Sequence, residues 1–256
     1  MFESDFQVRN RLLSALDGES FSRLSRHMEP VKLPVGHRLV ATNSPITHVC
    51  FIETGLASTL AHTDGGKSME VMPVGCEGMT GWPSLLGAEA TPDETVMYVA
   101  GDGLLVPAHE IRREMERNVR IRDMVLGYIN VCLVQVGQLV LANGQHTLRE
   151  RLARWLLMCH DRLATDNLPI THEFLSTVLG VRRPGITNEL HVLEGIHAIR
   201  ASRGNVRIID RNLLDQVASM TYGNAEREYE KLIARMRVGA ALSGFPVQSI
   251  SESDHF

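Results

Sequence analysis

The residues best suited to acting on another molecule lie in one stretch, 170–194, which reads ITHEFLSTVLGVRRPGITNELHVLE. Arg183 and Asn188 are the side-chain types that make paired hydrogen bonds to guanine and adenine edges in the major groove of DNA, and Thr187 stands beside them. Arg182, His191 and Arg203 add donors suited to phosphate, as does Thr171 at a helix start. Covalent chemistry has no comparable candidate. The 11 histidines are scattered, and no HExxH, GxSxG or GxxxxGK[ST] pattern occurs. His172 and Glu173 are adjacent but lack the second histidine that a zinc site needs, so neither catalysis nor a metal site is expected.

Two short helices must hold these side chains. Thr171 can cap a helix running to Leu179, with Phe174, Leu175, Val178 and Leu179 facing inward. Gly180 stands where a helix end wants a left-handed residue, and Pro184 falls in the first turn of the next helix, where its missing amide costs nothing. Ile186, Leu190 and Leu193, spaced four and three, bury that second helix. Two helices about a glycine turn make a helix-turn-helix. Behind them, residues 199–209 read as two strands around a Gly204-Asn205 turn flanked by arginines, a wing able to rest on phosphates.

Upstream elements position this reader. A helix from Thr147 to Leu163 buries Leu148, Leu152, Trp155, Leu156 and Cys159. Before it, Ile121, Met124, Val125, Tyr128, Val131, Cys132, Gln135, Leu139 and Ala142 trace a stripe on a helix about 25–30 residues long. Such a stripe could pack on its own domain. Its length and few flanking charges favour a dimer seam, with Met124, Tyr128, Val131 and Gln135 at its centre. From Val31 to Pro107, short apolar runs punctuated by Gly, Pro, Asn and Asp predict a β barrel or sandwich, with Asp64-Gly65-Gly66 as a hairpin turn. Two short helices around Asp17-Gly18 precede it, and a charged helical segment after Tyr222 runs into a polar end, SESDHF, expected to be disordered.

Composition limits the partners. At 256 residues, 44% hydrophobic and 22% charged, the chain is an ordinary globular sequence with room for more than one core. The net charge of -4 excludes a uniformly basic coat, yet the charge is unevenly placed. Residues 1–145 hold 12 basic and 17 acidic side chains, whereas residues 182–211 hold 6 and 3. An acidic sensor joined to a basic reader fits that distribution. The four cysteines form no C-x-x-C pair. The first ten residues carry two acids and no apolar run, so no secretory signal is expected. The run from Val131 to Ala142 is interrupted by Gln135 and Gln138 and falls short of the ~20 residues of a membrane span. A cytoplasmic protein without a membrane partner is expected.

The stretches RERLARWLLMCHDR (149–162) and LPITHEFLSTVLGVRR (168–183), with Gly75-Cys76-Glu77-Gly78-Met79 and Gly81-Trp82-Pro83-Ser84-Leu85-Leu86, resemble the Crp/Fnr family of bacterial transcription regulators. The likeness runs from about residue 20 to 222. It implies an α+β chain: an N-terminal double-stranded β-helix, the jelly-roll-like cyclic-nucleotide-binding fold, then a long dimerisation helix and a C-terminal winged helix-turn-helix. The corresponding domains are 1–117, 118–145 and 146–222, with 223–256 as an extension. It also implies a homodimer on a palindromic operator in double-stranded DNA, with half-sites about one turn apart, and RNA polymerase as a further partner.

The effector chemistry departs from the family. Members that bind cyclic AMP carry G-E-L-A-L followed by an Arg-Ser pair, the glutamate taking the ribose hydroxyl and the arginine the cyclic phosphate. Here Trp82 stands at the carboxylate position, within Gly81, Trp82, Ser84 and Leu85, and the arginine position falls on Asp93 or Glu94, followed by Thr95. An acid there repels a phosphate. Cyclic AMP and cyclic GMP are therefore not expected, no cofactor is expected, and any effector is a different small ligand. The competing reading is a small-molecule-binding module that regulates a protein partner, with the helix-turn-helix as mere scaffold.

Overall fold

A computed structural model describes residues 8–219 and 221–242. The first elements are two short helices, α1 (Arg11–Ser14) and α2 (Gly18–Ser25), capped by the side chains of Asn10 and Asp17. Asn10 is fully buried. Its amide donates to the carbonyls of Ile52 and Gly78, which pins the start of the chain onto the strands that follow.

Eight strands come next: β1 (Glu29–Leu33), β2 (Arg38–Val40), β3 (His48–Ile52), β4 (Leu56–His62), β5 (Ser68–Val74), β6 (Met79–Thr80), β7 (Glu94–Val99) and β8 (Gly101–Pro107). They form two antiparallel four-stranded sheets, ordered β1-β8-β3-β6 and β2-β7-β4-β5. Val49, Phe51, Leu104 and Val106 of the first share one core with Ala57, Met72, Val74 and Met97 of the second, so the sheets close face to face as a roll. The β4–β5 hairpin turns at Asp64-Gly65-Gly66, with Gly66 at φ 74°.

Helix α3 (Ala108–Arg117) leads into α4 (Val119–Gln145), whose 27 residues open with an Asn118 side-chain cap. Helix α4 is long and apolar enough to span a membrane, contrary to the expectation from Val131–Ala142 alone, but its inner side is packed within the chain. The N-terminal cap of α5 (Leu148–Leu163) is a reciprocal pair between Thr147 and Glu150. A three-stranded sheet of β9 (Asn167–Leu168), β10 (Ile199–Ser202) and β11 (Asn205–Ile208) accompanies α6 (His172–Leu179), α7 (Arg183–Gly195) and α8 (Arg211–Val217). Last comes α9 (Asn224–Leu242), which returns along α4. Gly127 makes room for it, since a Cβ there would run into the Leu232 side chain. The polar end 251–256 lies outside the described residues.

The chain is therefore α+β, with a β-rich N-terminal half and a helical C-terminal half around two apolar cores. The Gly75–Met79 stretch helps join them. Glu77 forms an ion pair with Nε of Arg162 on α5 at 2.8 Å, and a Cβ at Gly78 would collide with the Tyr128 hydroxyl of α4. Tyr98 of β7 stacks on Phe174 of α6, and Trp155 meets the same ring edge-on at 5.4 Å.

The stripe assigned to a dimer seam lies elsewhere. Met124, Tyr128, Val131 and Gln135 are all buried by the chain's own roll and helices. Their mixed three- and four-residue steps are those of a helix face packed on a curved core. The exposed apolar side chains of α4 include instead Val119, Leu126, Leu133 and Val140, each seven residues from the next, with Leu141 beside the last. Gly137 and Gly144 lie on the same helix with open space where a Cβ would point.

Candidate nucleic-acid interface

Helix α6 starts with the Thr171 hydroxyl accepting from the Phe174 amide at 3.1 Å. It ends at Gly180, which is left-handed at φ 65°, where the Gly180 and Val181 amides close onto Thr177 and Ser176. That positive φ strains any residue with a Cβ. Met69 at the β4–β5 hairpin also packs against the open face of Gly180. Arg182 then adopts an extended conformation and α7 begins at Arg183, with Pro184 in its first turn.

One face of α7 is fixed. Ile186, Leu190 and Leu193 are fully buried, together with Phe174, Leu175 and Val178 of α6. The other face carries Arg183, Asn188 and His191, all exposed, with Arg182 exposed just before it. Thr187 is half-buried. Its Oγ1 lies 3.1 Å from Nδ1 of His172 and donates to the Arg183 carbonyl at 3.3 Å. Burial, and then the charge of Arg183, lowers the His172 pKa below its ordinary value, favouring the neutral ring. Thr187 thus ties the two helices of the motif together, a role the sequence pattern did not show.

The wing is held to the same helix. Glu194 Oε1 accepts from the Ala201 amide at 2.8 Å, joining α7 to β10. The hairpin turns at Arg203-Gly204, with Gly204 at φ 76°, and Asn205 already belongs to β11, so the turn lies one position earlier than the Gly204-Asn205 turn expected. Arg200 and Arg207 face each other across the two strands, and both are exposed. Like charges directly opposite in a ladder are unfavourable alone; an anion between them removes that repulsion. Arg203 is exposed at the tip, and Arg182 is exposed just before α7.

The residues expected to line an effector pocket fall into two groups. Gly81 is left-handed at φ 75° and opens a 3-10 turn, Trp82–Leu86, in which Ser84 donates to the Gly81 carbonyl at 2.8 Å. Trp82 packs half-buried against the roll core, Leu85 is buried in it, and Arg112 of α3 donates to the Ser84 carbonyl at 3.0 Å. Glu94 and Thr95 open β7 in the other sheet. Glu94 faces Arg38 Nε at 3.3 Å and His62 Nε2 at 3.1 Å, while Thr95 shares a hydrogen bond with Thr59. Among the described residues no hydrogen bond joins the two groups, and no cluster of three or more His, Cys, Asp or Glu could hold a metal ion.

Residues 150–217 match the family of Crp-like helix-turn-helix domains. No curated protein matches the chain in sequence. Among solved structures, FixK2 from Bradyrhizobium japonicum is similar with a TM-score of 0.67 at 14% identity, over 75% of this chain and 98% of that one. A transcriptional regulator of the CRP/FNR family from Thermus thermophilus gives 0.64 at 17%, over 75% of this chain and 100% of that one. At such identities the likeness is one of fold.

Proposed function

Given a chain with the Crp/Fnr fold and a Crp-like helix-turn-helix at residues 150–217, we propose that it is a sequence-specific, DNA-binding transcription regulator that works as a homodimer on a palindromic operator. One observation carries the reading. The inner face of α7 is fully buried through Ile186, Leu190 and Leu193, which leaves Arg183 and Asn188 on its exposed face, with Arg182 exposed just before the helix and Arg203 exposed at the tip of the wing. That pairing of a rigid back with a polar, cationic front suits a recognition helix in the major groove. Arg183, Asn188 and Thr187 read bases; Arg182, Arg203, His191 and the amides after Thr171 take phosphates. With the Thr187 hydroxyl engaged by His172, that residue reads through its methyl, which suits a thymine methyl.

Dimerisation uses the exposed side of α4. Leu133 is 62% and Val140 65% exposed, and their seven-residue spacing with Val119 and Leu126 is that of a two-helix seam. Crp/Fnr regulators act as dimers, and a second copy of α4 covers this face while holding two recognition helices at a fixed separation. RNA polymerase is the further partner, and the cytoplasm is where both it and DNA are met.

Cyclic AMP and cyclic GMP are not the effector. Trp82 replaces the carboxylate that takes the ribose, and Glu94 puts a negative charge at the phosphate position, held there by Arg38 and His62. Any effector is a different small molecule. Selection of bound duplexes from a random pool tests the reading. A palindrome with half-sites about one turn apart is expected, and recovery of no enriched sequence overturns it in favour of a module acting on a protein partner.

A further inference from the structure

Helix α9 is anchored in both halves of the molecule. Just before it, Ala218 is fully buried and Tyr222 half-buried in the apolar core of the helix-turn-helix half. The Thr221 carbonyl accepts from Nε of Arg154 on α5 at 3.0 Å, and the Arg211 guanidinium of α8 lies 5.8 Å from the centre of the Tyr222 ring. Further along, Tyr229, Leu232 and Ile233 are buried in the core of the roll. Nη2 of Arg11 on α1 pairs with Glu230 at 2.7 Å, and its guanidinium sits 5.0 Å from the centre of the Tyr229 ring. Against α4 the helix runs antiparallel. Nδ2 of Asn224 donates to Oε1 of Gln138 at 2.9 Å, and Leu232 fills the space beside Gly127.

The two anchorages are joined without slack. Gly223, left-handed at φ 99°, donates its amide to Oε2 of Glu226 at 3.0 Å, and its carbonyl accepts from the Arg227 amide, so the helix is wound from its first residue. The helical rise from Asn224 to Tyr229 is then about 8 Å. The other covalent link between the halves is the α4–α5 joint, where His146 and Thr147 are both extended. One such joint lets a domain swing; a second connection, rigid and anchored at both ends, removes the swing. We propose that α9 is a positioning strap: it fixes the angle of the reader on the sensor, and with it the separation of the two recognition helices in the dimer. Its effect on DNA rests on the readings of α7 and of the α4 seam given above; its effect on the angle does not. Readers held at the right separation meet their second half-site at a high effective concentration, which slack in the strap dilutes. The ring stack and hydrogen bonds between roll and reader act on the same angle, but they part and re-form, whereas the strap is covalent at one end and buried in the roll core at the other.

The test inserts the flexible sequence Gly-Ser-Gly-Ser between Tyr222 and Gly223 of the full chain, which leaves α9 seated on α4 but frees the reader from it. Spin labels at Val35→Cys on the roll and Ile209→Cys on the reader, both exposed positions, report the separation of the halves. The chain with its four native cysteines alone is the blank, and unlabelled chain is in excess. A single narrow distance distribution is expected for the original chain, and one at least twice as broad after insertion. Operator affinity is expected to fall at least tenfold, with half-site affinity unchanged. Gly127→Leu, which pushes Leu232 off α4, is expected to broaden the distribution similarly and keeps the test open should the insertion not fold. An unchanged distribution in both variants overturns the strap, as does undiminished operator affinity in the insertion chain. If the original chain binds neither operator nor half-site, the reading of α7 fails instead, and the distance distribution decides the strap by itself.

Discussion

The indole nitrogen of Trp155 donates its hydrogen bond to Oε2 of Glu70, a carboxylate only 3% exposed, and so ties α5 of the reading half to β5 of the roll. The Ser58 hydroxyl holds the other oxygen at 2.5 Å. Burial dominates this carboxylate. It pushes the Glu70 pKa up from 4.5 to about 7, against the opposing pull of these two hydrogen bonds and of Arg162 and Arg154.

Because the folded chain keeps that proton where the unfolded chain has released it, rising pH costs stability between about 4.5 and about 7. Above the upper value the cost levels off, at up to about 3 kcal/mol. Glu70→Gln keeps both hydrogen bonds, the amide oxygen accepting from Trp155 and the amide nitrogen donating to Ser58. Urea unfolding at pH 5 and pH 8 is expected to show the variant gaining on the original chain as pH rises. A difference that does not change with pH contradicts this.

The two faces of α4 make opposite predictions. Leu133→Glu is expected to dissociate the dimer in sedimentation while changing the stability of the isolated chain by less than ~0.5 kcal/mol, as at most surface sites. Met124→Ala, in the buried stripe, is expected to cost ~2–5 kcal/mol of stability. Dimers that persist in Leu133→Glu place the seam elsewhere.

How far this was legible in the sequence depended on whether one neighbour or many decide a residue's place. Gly180, Pro184 and the Ile186–Leu190–Leu193 spacing act locally, and the helix-turn-helix follows from them. Tyr128 and Gln135 were read as a seam because periodicity marks an apolar face without saying what covers it. What covers them is distant in sequence: Gly78 against Tyr128, and Arg162 against Gln135. The seven-residue spacing from Val119 to Val140 was open to inspection but was masked by the richer stripe beside it. Glu70 resembled any solvated charge on a strand until Trp155 was set against it. The return of α9 along α4 had no signal beyond Gly127.

Breaking the joint at Glu77 is expected to be costly. Glu77→Gln leaves the Arg162 guanidinium, 7% exposed, without its countercharge, and removing one partner of a buried pair typically costs ~3–5 kcal/mol. Denaturant midpoints check this. A loss below ~1 kcal/mol would mean the pair is solvated in practice.

Thr187 separates a positioning hydroxyl from a reading methyl. Thr187→Val keeps the methyl and loses the contact with His172, so base preference is expected to persist with affinity lowered by ~0.5–1.5 kcal/mol. Thr187→Ala loses both and is expected to relax preference at one base pair. Equal base preference in the two variants removes Thr187 from the reading set.

The central claim is that α7 reads bases with Arg183. It is tested most directly by measuring Arg183→Ala on the selected operator, on single-base variants of it, and over a range of salt concentrations. A loss of ~1–3 kcal/mol confined to the operator is expected, with indifference at one base pair and an unchanged salt dependence. Uniform weakening on every sequence, with the salt slope reduced by about 1, makes Arg183 a phosphate contact and contradicts the account.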